Sequence, residues 1–262
     1  MSEPLAHYSF IPWLRRGLAN KIAETDALGA NVTGAGYADE RARLNVELVV
    51  GYDRISGGSD EDSVSKAVNL IGPGDIAGVN PVAVLRTEPA ANVNNFEANL
   101  LAYIEFYEED FPWRYTPVGP AGSKLRPWIA LIVLKAGEFD LRDNGAGLPS
   151  FSVHPEAVNQ VFCDHDETWA WAHVHLNQSL TGGTGLIGEV DNLLATDPDI
   201  GISRLLCPRK LQQSSDYTAF LIPAFETGRI AGLGKPTTGT KAQQPAWTKT
   251  GGQVTIAEVE GF

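Results

Sequence analysis

Apolar and polar residues alternate in Arg43-Leu44-Asn45-Val46-Glu47-Leu48-Val49-Val50. In an extended chain the even-numbered positions of this stretch, all Leu or Val, lie on one face. The odd-numbered positions, Arg43, Asn45, Glu47 and Val49, lie on the other. This two-residue period predicts a half-buried strand of an antiparallel sheet, with its apolar face against a core.

Other segments rich in β-branched and aromatic residues predict further strands. They are residues 99–107, 128–134, 151–153, 168–176, 217–222 and 253–259. Residues 128–134 are apolar on both faces, which predicts a central strand covered on each side. Two glycine-rich loops are expected, an acidic and mobile one at 56–63 and a second at 234–250.

Helical signals are few. Residues 189–195 and 202–206 each predict a turn or two of helix, and residues 64–70 are ambiguous. Strands and helices do not alternate in the way of a doubly wound fold. The sequence therefore predicts an all-β or β-dominated fold, an antiparallel β-sandwich or jelly-roll-like domain with a short N-terminal helix and a few small helices.

The N-terminal segment 9–22 has apolar residues at Ile11, Leu14, Leu18 and Ile22, the spacing of an amphipathic helix. We expect it to pack on its own domain, the alternative being an arm that docks on a neighbouring subunit. The predicted organisation is an N-terminal helix or arm over 1–30 and one β-rich domain over 31–262. A sub-boundary is expected near 136–150.

Composition excludes several classes of function. Of 262 residues, 43% are hydrophobic and 20% are charged, which is typical of a soluble globular protein and excludes wholesale disorder. The net charge of −12 disfavours binding to a nucleic-acid backbone. No apolar run is long enough for a membrane helix, so no membrane insertion is expected. Two cysteines and no secretory signal favour the cytoplasm.

Histidines are concentrated in one short segment. On a strand, His173 and His175 share a face and could present two imidazoles to one zinc or other divalent metal ion, with His165 or Cys163 as a third ligand. An open position would then hold a water for hydrolysis. The alternative, favoured by the frequency of packed histidines beside tryptophans, is that these residues belong to the core and that no cofactor is bound.

Arg and Trp occur together near two proline-rich segments, and these residue types are enriched at binding hot spots. The candidate interface residues are Trp13, Trp113, Arg114, Arg126 and Trp128. The alternative is stacking of Arg on Trp within the same molecule. Exposed Trp or Tyr on a sandwich could also serve as a stacking platform for a carbohydrate or another ligand.

The same segments carry a resemblance to a known group of proteins. The relevant stretches are Phe111-Pro112-Trp113, Leu125-Arg126-Pro127-Trp128, residues 169–174, residues 203–211, residues 219–229 and Ala231-Gly232-Leu233-Gly234. From residue 111 onward the chain resembles a family of uncharacterised bacterial proteins associated with phage-tail-like and contractile injection particles. The resemblance implies a role in a particle assembled from protein subunits, and it implies no catalytic residue.

Three hypotheses follow from the sequence. The first is a non-catalytic structural or interaction module that contacts protein subunits of a larger bacterial assembly, or other copies of itself. The second is a metal-dependent enzyme that uses the His173 and His175 pair. The third is a carbohydrate- or ligand-binding β-sandwich.

Overall fold

A computed structural model describes residues 8–22, 40–97, 99–120, 122, 124–143, 149–181, 185–256 and 261–262. Among these residues strands outnumber helices and every strand pairing is antiparallel, so the predicted β-dominated class is confirmed. Within these residues, no helix has the length and apolar character required to cross a membrane.

The strands are numbered in chain order. They are β1 Ser9–Ile11, β2 Arg43–Asp53, β3 Ser59–Asn69, β4 Val84–Glu88, β5 Leu101–Phe106, β6 Ile129–Lys135, β7 Phe139–Asp143, β8 Pro149–Val153, β9 Ala172–Leu176, β10 Gly201–Lys210, β11 Tyr217–Pro223, β12 Trp247–Thr250 and β13 Gln253–Ile256.

The helices of the described residues are short. The α-helices are α1 Pro155–Val161, α2 Leu186–Thr196 and α3 Glu226–Gly232. The 3-10 helices are Leu18–Lys21, Pro73–Asp75, Pro81–Ala83, Phe111–Trp113, His165–Trp171 and Pro198–Ile200. The helix predicted at 189–195 is confirmed by α2.

A five-stranded sheet in the order β1-β9-β10-β5-β4 forms one layer of the body. Ala172, Val174 and Leu176 of β9 are buried on its inner face, whereas His173 and His175 lie on its outer face. The two-stranded sheet formed by β6 and β11 packs against β10 from the inner side. Burial along both faces of β6 agrees with the expected covering, although within the described residues this strand pairs with β11 alone.

The helix predicted over 9–22 is wrong. Ser9 pairs with Leu176 and Ile11 pairs with Val174, so this part is the edge strand β1. Gly17 has φ of 71°, which a right-handed helix does not contain. The single turn Leu18–Lys21 follows it. The favoured expectation that this segment packs on its own body agrees with the structure.

Arg15 shows how firmly the N-terminal segment is held. It is a charged side chain, but it is only 2% exposed. Its Nη1 donates hydrogen bonds to the carbonyl oxygens of Thr116 at 3.0 Å and Val118 at 2.8 Å. A buried guanidinium needs such acceptors to offset the loss of its hydration.

Two other expected elements have a different conformation. Residues 202–206 are part of strand β10, because they pair with β5 on one side and β9 on the other. Residues 165–171 form a 3-10 helix, and the strand predicted from residue 168 begins only at Ala172. The division of the chain near residue 30 lies outside the described residues, and the sub-boundary near 136–150 stays a prediction.

A buried ion pair closes the C-terminal side of the body. Arg229, with no exposed surface, donates to both carboxylate oxygens of Glu226 at 2.7 and 2.6 Å. Its Nη1 also donates to the carbonyl oxygen of Gly261 at 3.0 Å. The next residue, Phe262, exchanges two backbone hydrogen bonds with Phe151 at 2.8 Å. Arg229 therefore joins α3 to the end of the chain.

Strands β2 and β3 form a hairpin of eleven residues on each side. We call it the ribbon. The acidic segment 56–63, expected to be a loop, supplies the turn and the start of β3, and the ambiguous residues 64–70 continue that strand. The prediction of a strand at 43–50 is confirmed, but the prediction that it is half-buried is wrong, because residues 45–53 are all exposed.

Candidate interaction surface

His165 is a satisfied core residue. It is 2% exposed, and its ring meets Phe225 and Trp247 edge to face at 5.3 and 5.4 Å. Its Nε2 lies 2.8 Å from the carbonyl oxygen of Ala224, which requires the proton on Nε2. Burial, together with the nearby positive charge of Arg126, lowers the pKa of His165 to about 3. The ring is therefore neutral and engaged in packing.

His173 and His175 lie side by side on the outer face of the five-stranded sheet, as the sequence predicted. Phe10 of the edge strand stacks on His175 at 4.9 Å and meets His173 edge to face at 5.5 Å. Burial and the neighbouring Arg204 lower the pKa of His173 to about 4. Within the described residues, no three His, Cys, Asp or Glu side chains are grouped closely enough to hold a metal ion. The structure thus pairs the two histidines and leaves His165 in the core.

Cys163, the other candidate third ligand, lies beside a small apolar cavity. Burial raises the pKa of its thiol to about 12, far from the thiolate form that binds metals. The cavity has a volume of about 20 Å³ and is lined by Trp171, Leu205 and Trp247 among others. Such a volume holds roughly one water molecule.

A charged row crosses the outer face of the sheet next to the histidines. Glu105 has no exposed surface and accepts hydrogen bonds from Arg204, with Nε at 2.8 Å, and from Arg86. Burial alone would raise the pKa of Glu105, but these two guanidinium groups outweigh it and lower the pKa. Arg204 also lies over the ring of Tyr103, 4.3 Å from its centroid. The row connects the neighbouring strands β4, β5 and β10, and its charged groups pair with one another.

The tryptophans predicted at an interface are core residues. Trp113 has no exposed surface and Trp128 is 3% exposed, so that prediction is wrong for both. Their indole N–H groups donate to the carbonyl oxygens of Leu125 at 3.0 Å and Phe111 at 2.8 Å. Packing of these rings around the Phe111–Trp113 turn explains why the segment is aromatic and proline-rich.

The remaining three candidates are also engaged within the chain. Trp13 is half-buried and packs against the core. Arg114 forms ion pairs with Glu108 and Asp110, and Arg126 forms one with Asp166. These arginines pair with carboxylates, and no cation–π contact of either with a tryptophan is found among the described residues.

The ribbon carries exposed apolar side chains that the sequence did not predict to be exposed. Cross-strand register places a set of apolar side chains on one side, which we call the apolar ribbon face. Its apolar members are Leu44, Val46, Leu48, Val50, Tyr52, Val64 and Val68. Leu48 is 63% exposed, Val64 67% and Val50 52%. Alternation of this kind normally indicates a contact with the core, but among the described residues no core side chains cover the middle of this face.

In the part of the chain that the structure describes, the base of the ribbon is the part that is anchored to the body. Ile22 and Ala42 are buried there, with Leu44 and Leu70 packed against them. The amide of Leu70 donates to the carbonyl oxygen of Ala42 at 2.8 Å, which holds the two ends of the hairpin together. Arg41 forms an ion pair with Asp75 next to this base. The anchoring leaves the central rows of the ribbon in solvent.

The sequence contains signals for the hairpin itself but none for the exposure of its apolar face. Alternation over 43–50 indicates one apolar face, and the charged, glycine-rich residues 56–63 indicate that the strand turns back on itself. Neither signal shows whether the body reaches the apolar face.

Comparison with protein-family models, curated proteins and solved structures finds no match to this chain in any of the three.

Proposed function

We propose that this chain is a non-catalytic structural module that contacts protein subunits of a larger assembly through the apolar ribbon face. The assembly would be a phage-tail-like or contractile injection particle built in the cytoplasm, as the resemblance of the second half of the chain implies. The observation that carries the proposal is the exposure of Leu48, Val50 and Val64 on a ribbon whose residues beyond its base are mostly exposed in the part of the chain that the structure describes.

The size of the face supports a contact role. Eleven residues at ~3.4 Å each give a ribbon ~37 Å long, and two strands give a width of ~10 Å. The resulting face of roughly 350 Å², on which seven of ten side chains are apolar, is close in size to the largest apolar patches on monomeric proteins, which are often functional. A two-stranded hairpin is also marginally stable on its own, so burial of one face would stabilise it.

Charge supports protein as the partner. The chain carries a net charge of −12, and the ribbon itself holds Glu47, Asp53, Asp60, Glu61 and Asp62 against Arg43, Arg54 and Lys66. Such a surface repels phosphate backbones and is compatible with an apolar protein contact.

The test is a pair of variants that add the same carboxylate to opposite faces of one strand. Leu48→Asp places a charge at the centre of the apolar ribbon face, and Asn45→Asp places one on the opposite face. Both positions are exposed, so we expect unchanged thermal melting for both. In extracts of the producing cells, Leu48→Asp should reduce the fraction of the chain that elutes with high-mass particles at least tenfold.

Asn45→Asp should elute as the wild type does, since its face makes no contact in the proposal. Equal incorporation of the wild type and of Leu48→Asp into particles would contradict the proposed function. Equal loss in the two variants would show that charge on the ribbon, and not its apolar face, governs assembly.

A further inference from the structure

We propose that the apolar ribbon face stacks on the same face of a second copy of this chain, antiparallel, around a two-fold axis at the row formed by Leu48 and Val64. This inference rests on the proposed function and names the partner for that surface. It is carried by the order of side chains along the ribbon and by the two charges that this order leaves unpaired.

The face consists of five cross-strand rows from base to tip. They are Leu44 with Val68, Val46 with Lys66, Leu48 with Val64, Val50 with Asp62, and Tyr52 with Asp60. The β2 side is apolar in every row. The β3 side has one lysine before the central row and an aspartate in each of the two rows after it.

A two-fold axis across the central row places β2 on β2 and β3 on β3 of the second copy and inverts the order of rows. Leu48 then meets Leu48 of the second copy, and Val46 meets Val50. Lys66 faces Asp62 of the second copy, and Asp62 faces Lys66. Each dimer therefore contains two opposite-charge contacts that flank an apolar centre.

The two charges are free to make these contacts. Within the described residues, no hydrogen bond or ion pair involves the side chain of Lys66 or Asp62. They lie four residues apart on one strand, ~13 Å at the usual rise, too far to pair with each other. Asp60, in contrast, is paired with Arg54 at the tip. The unpaired charges of this face are thus one positive and one negative, which a second copy complements.

Sheet geometry allows the contact. Packed sheets are separated by ~10 Å, and an extended lysine together with an aspartate spans that gap. Aligned sheets cross at about 30°, which displaces the ends of the ribbons more than the rows next to the centre. Rows of Lys66 and Asp62 adjoin the central row and so stay superposed. The antiparallel arrangement also places the two protein bodies at opposite ends of the stack.

Stacking of faces is favoured over pairing of strand edges. The β3 edge carries Asp60, Glu61, Asp62 and Lys66, and charged edge strands resist addition of a further strand. Edge pairing would also leave the apolar face in solvent. The stacked area, roughly 700 Å² in total, is below the ~1,200 Å² of standard stable interfaces, so we expect a reversible dimer that dissociates on dilution.

The experiment is a charge exchange on the full chain, followed by sedimentation velocity over a dilution series. In Lys66→Asp each contact would place two aspartates opposite each other, and in Asp62→Lys two lysines. Each variant alone should dimerise at least tenfold more weakly than the wild type. An equimolar mixture of the two restores both opposite-charge contacts, so it should form a one-to-one dimer with wild-type affinity.

Controls separate this inference from the proposed function. Asn45→Asp should dimerise as the wild type does, and Leu48→Asp should stay monomeric. If Leu48→Asp abolishes the dimer but each charge variant behaves as the wild type, the two-fold register is overturned and the apolar contact stands. A wild type that is monomeric at every concentration overturns the second copy as partner. In that case the proposed function is still tested separately, by the fraction of Leu48→Asp that elutes with high-mass particles.

Discussion

Removal of the Arg229 guanidinium should be among the most destabilising single changes in this chain. In Arg229→Met the side chain keeps a similar length, but Glu226 loses both of its hydrogen bonds while 3% exposed. The carbonyl oxygen of Gly261 loses its donor as well. The variant therefore leaves a buried carboxylate without a counter-charge.

Breaking a buried ion pair from one side costs about 3–5 kcal/mol. For a chain of this size each kcal/mol lowers the melting temperature by roughly 2–4 °C. The expected decrease is therefore roughly 6–20 °C, measured by thermal unfolding followed with circular dichroism. The double variant Glu226→Gln/Arg229→Met buries no charge and should lose less, about 1–3 kcal/mol.

Arg54→Met is the matched control, because Arg54 also pairs with a carboxylate but is 57% exposed. Exposed ion pairs contribute less than about 1 kcal/mol, so its melting temperature should stay within a few degrees of the wild type. Equal decreases in Arg229→Met and Arg54→Met would refute the reasoning, because burial would then not determine the cost.

Three further predictions follow from the pKa shifts. A hydrogen bond from Arg209 lowers the pKa of Glu138 to about 2 from 4.5, so this group's contribution to stability is complete above pH 4.5 and is lost as the pH falls towards 2. Melting curves should show a smaller loss over that range for Glu138→Gln than for the wild type. Burial raises the pKa of the Cys207 thiol, and it raises the pKa of the Cys163 thiol to about 12. Iodoacetamide should therefore alkylate neither thiol in the folded protein and both thiols after unfolding, which intact-mass spectrometry measures. The pKa of His173 is lowered to about 4 in the folded chain, so protonation favours the unfolded chain and stability is lost as the pH falls from 6.5 towards 4. The NMR ring signals of His173 should therefore not titrate near pH 6.5 in the folded protein.

Much of the body could be predicted because local pattern and tertiary structure agree there. The apolar run of β6 is buried on both faces, and the alternation of β9 separates Val174 inside from His173 outside. The prediction for the N-terminal segment was wrong because the spacing of its apolar residues is that of a helix, although part of the segment forms a strand. Pairing of Ser9–Ile11 with β9 and the left-handed Gly17 decide against the helix, and neither is visible in a short window of sequence.

The proposed interaction surface could be predicted less well than the fold. Trp113 and Trp128 are of residue types common at hot spots, but residue type does not distinguish an interface from a core. The ribbon has the opposite problem, since its alternation is that of a core strand. Only the three-dimensional arrangement shows that Leu48 and Val64 are exposed among the described residues.

The central proposal is that the chain belongs to a larger assembly and that the apolar ribbon face contacts protein there. The most direct measurement is photo-crosslinking in the producing cells with a benzophenone side chain placed at position 48, compared with one at position 45. Both sites are exposed in the isolated chain and lie on opposite faces of β2. The account predicts strong crosslinks to protein from position 48 and few from position 45. Absence of crosslinks from position 48, or equal crosslinking from both positions, would contradict it.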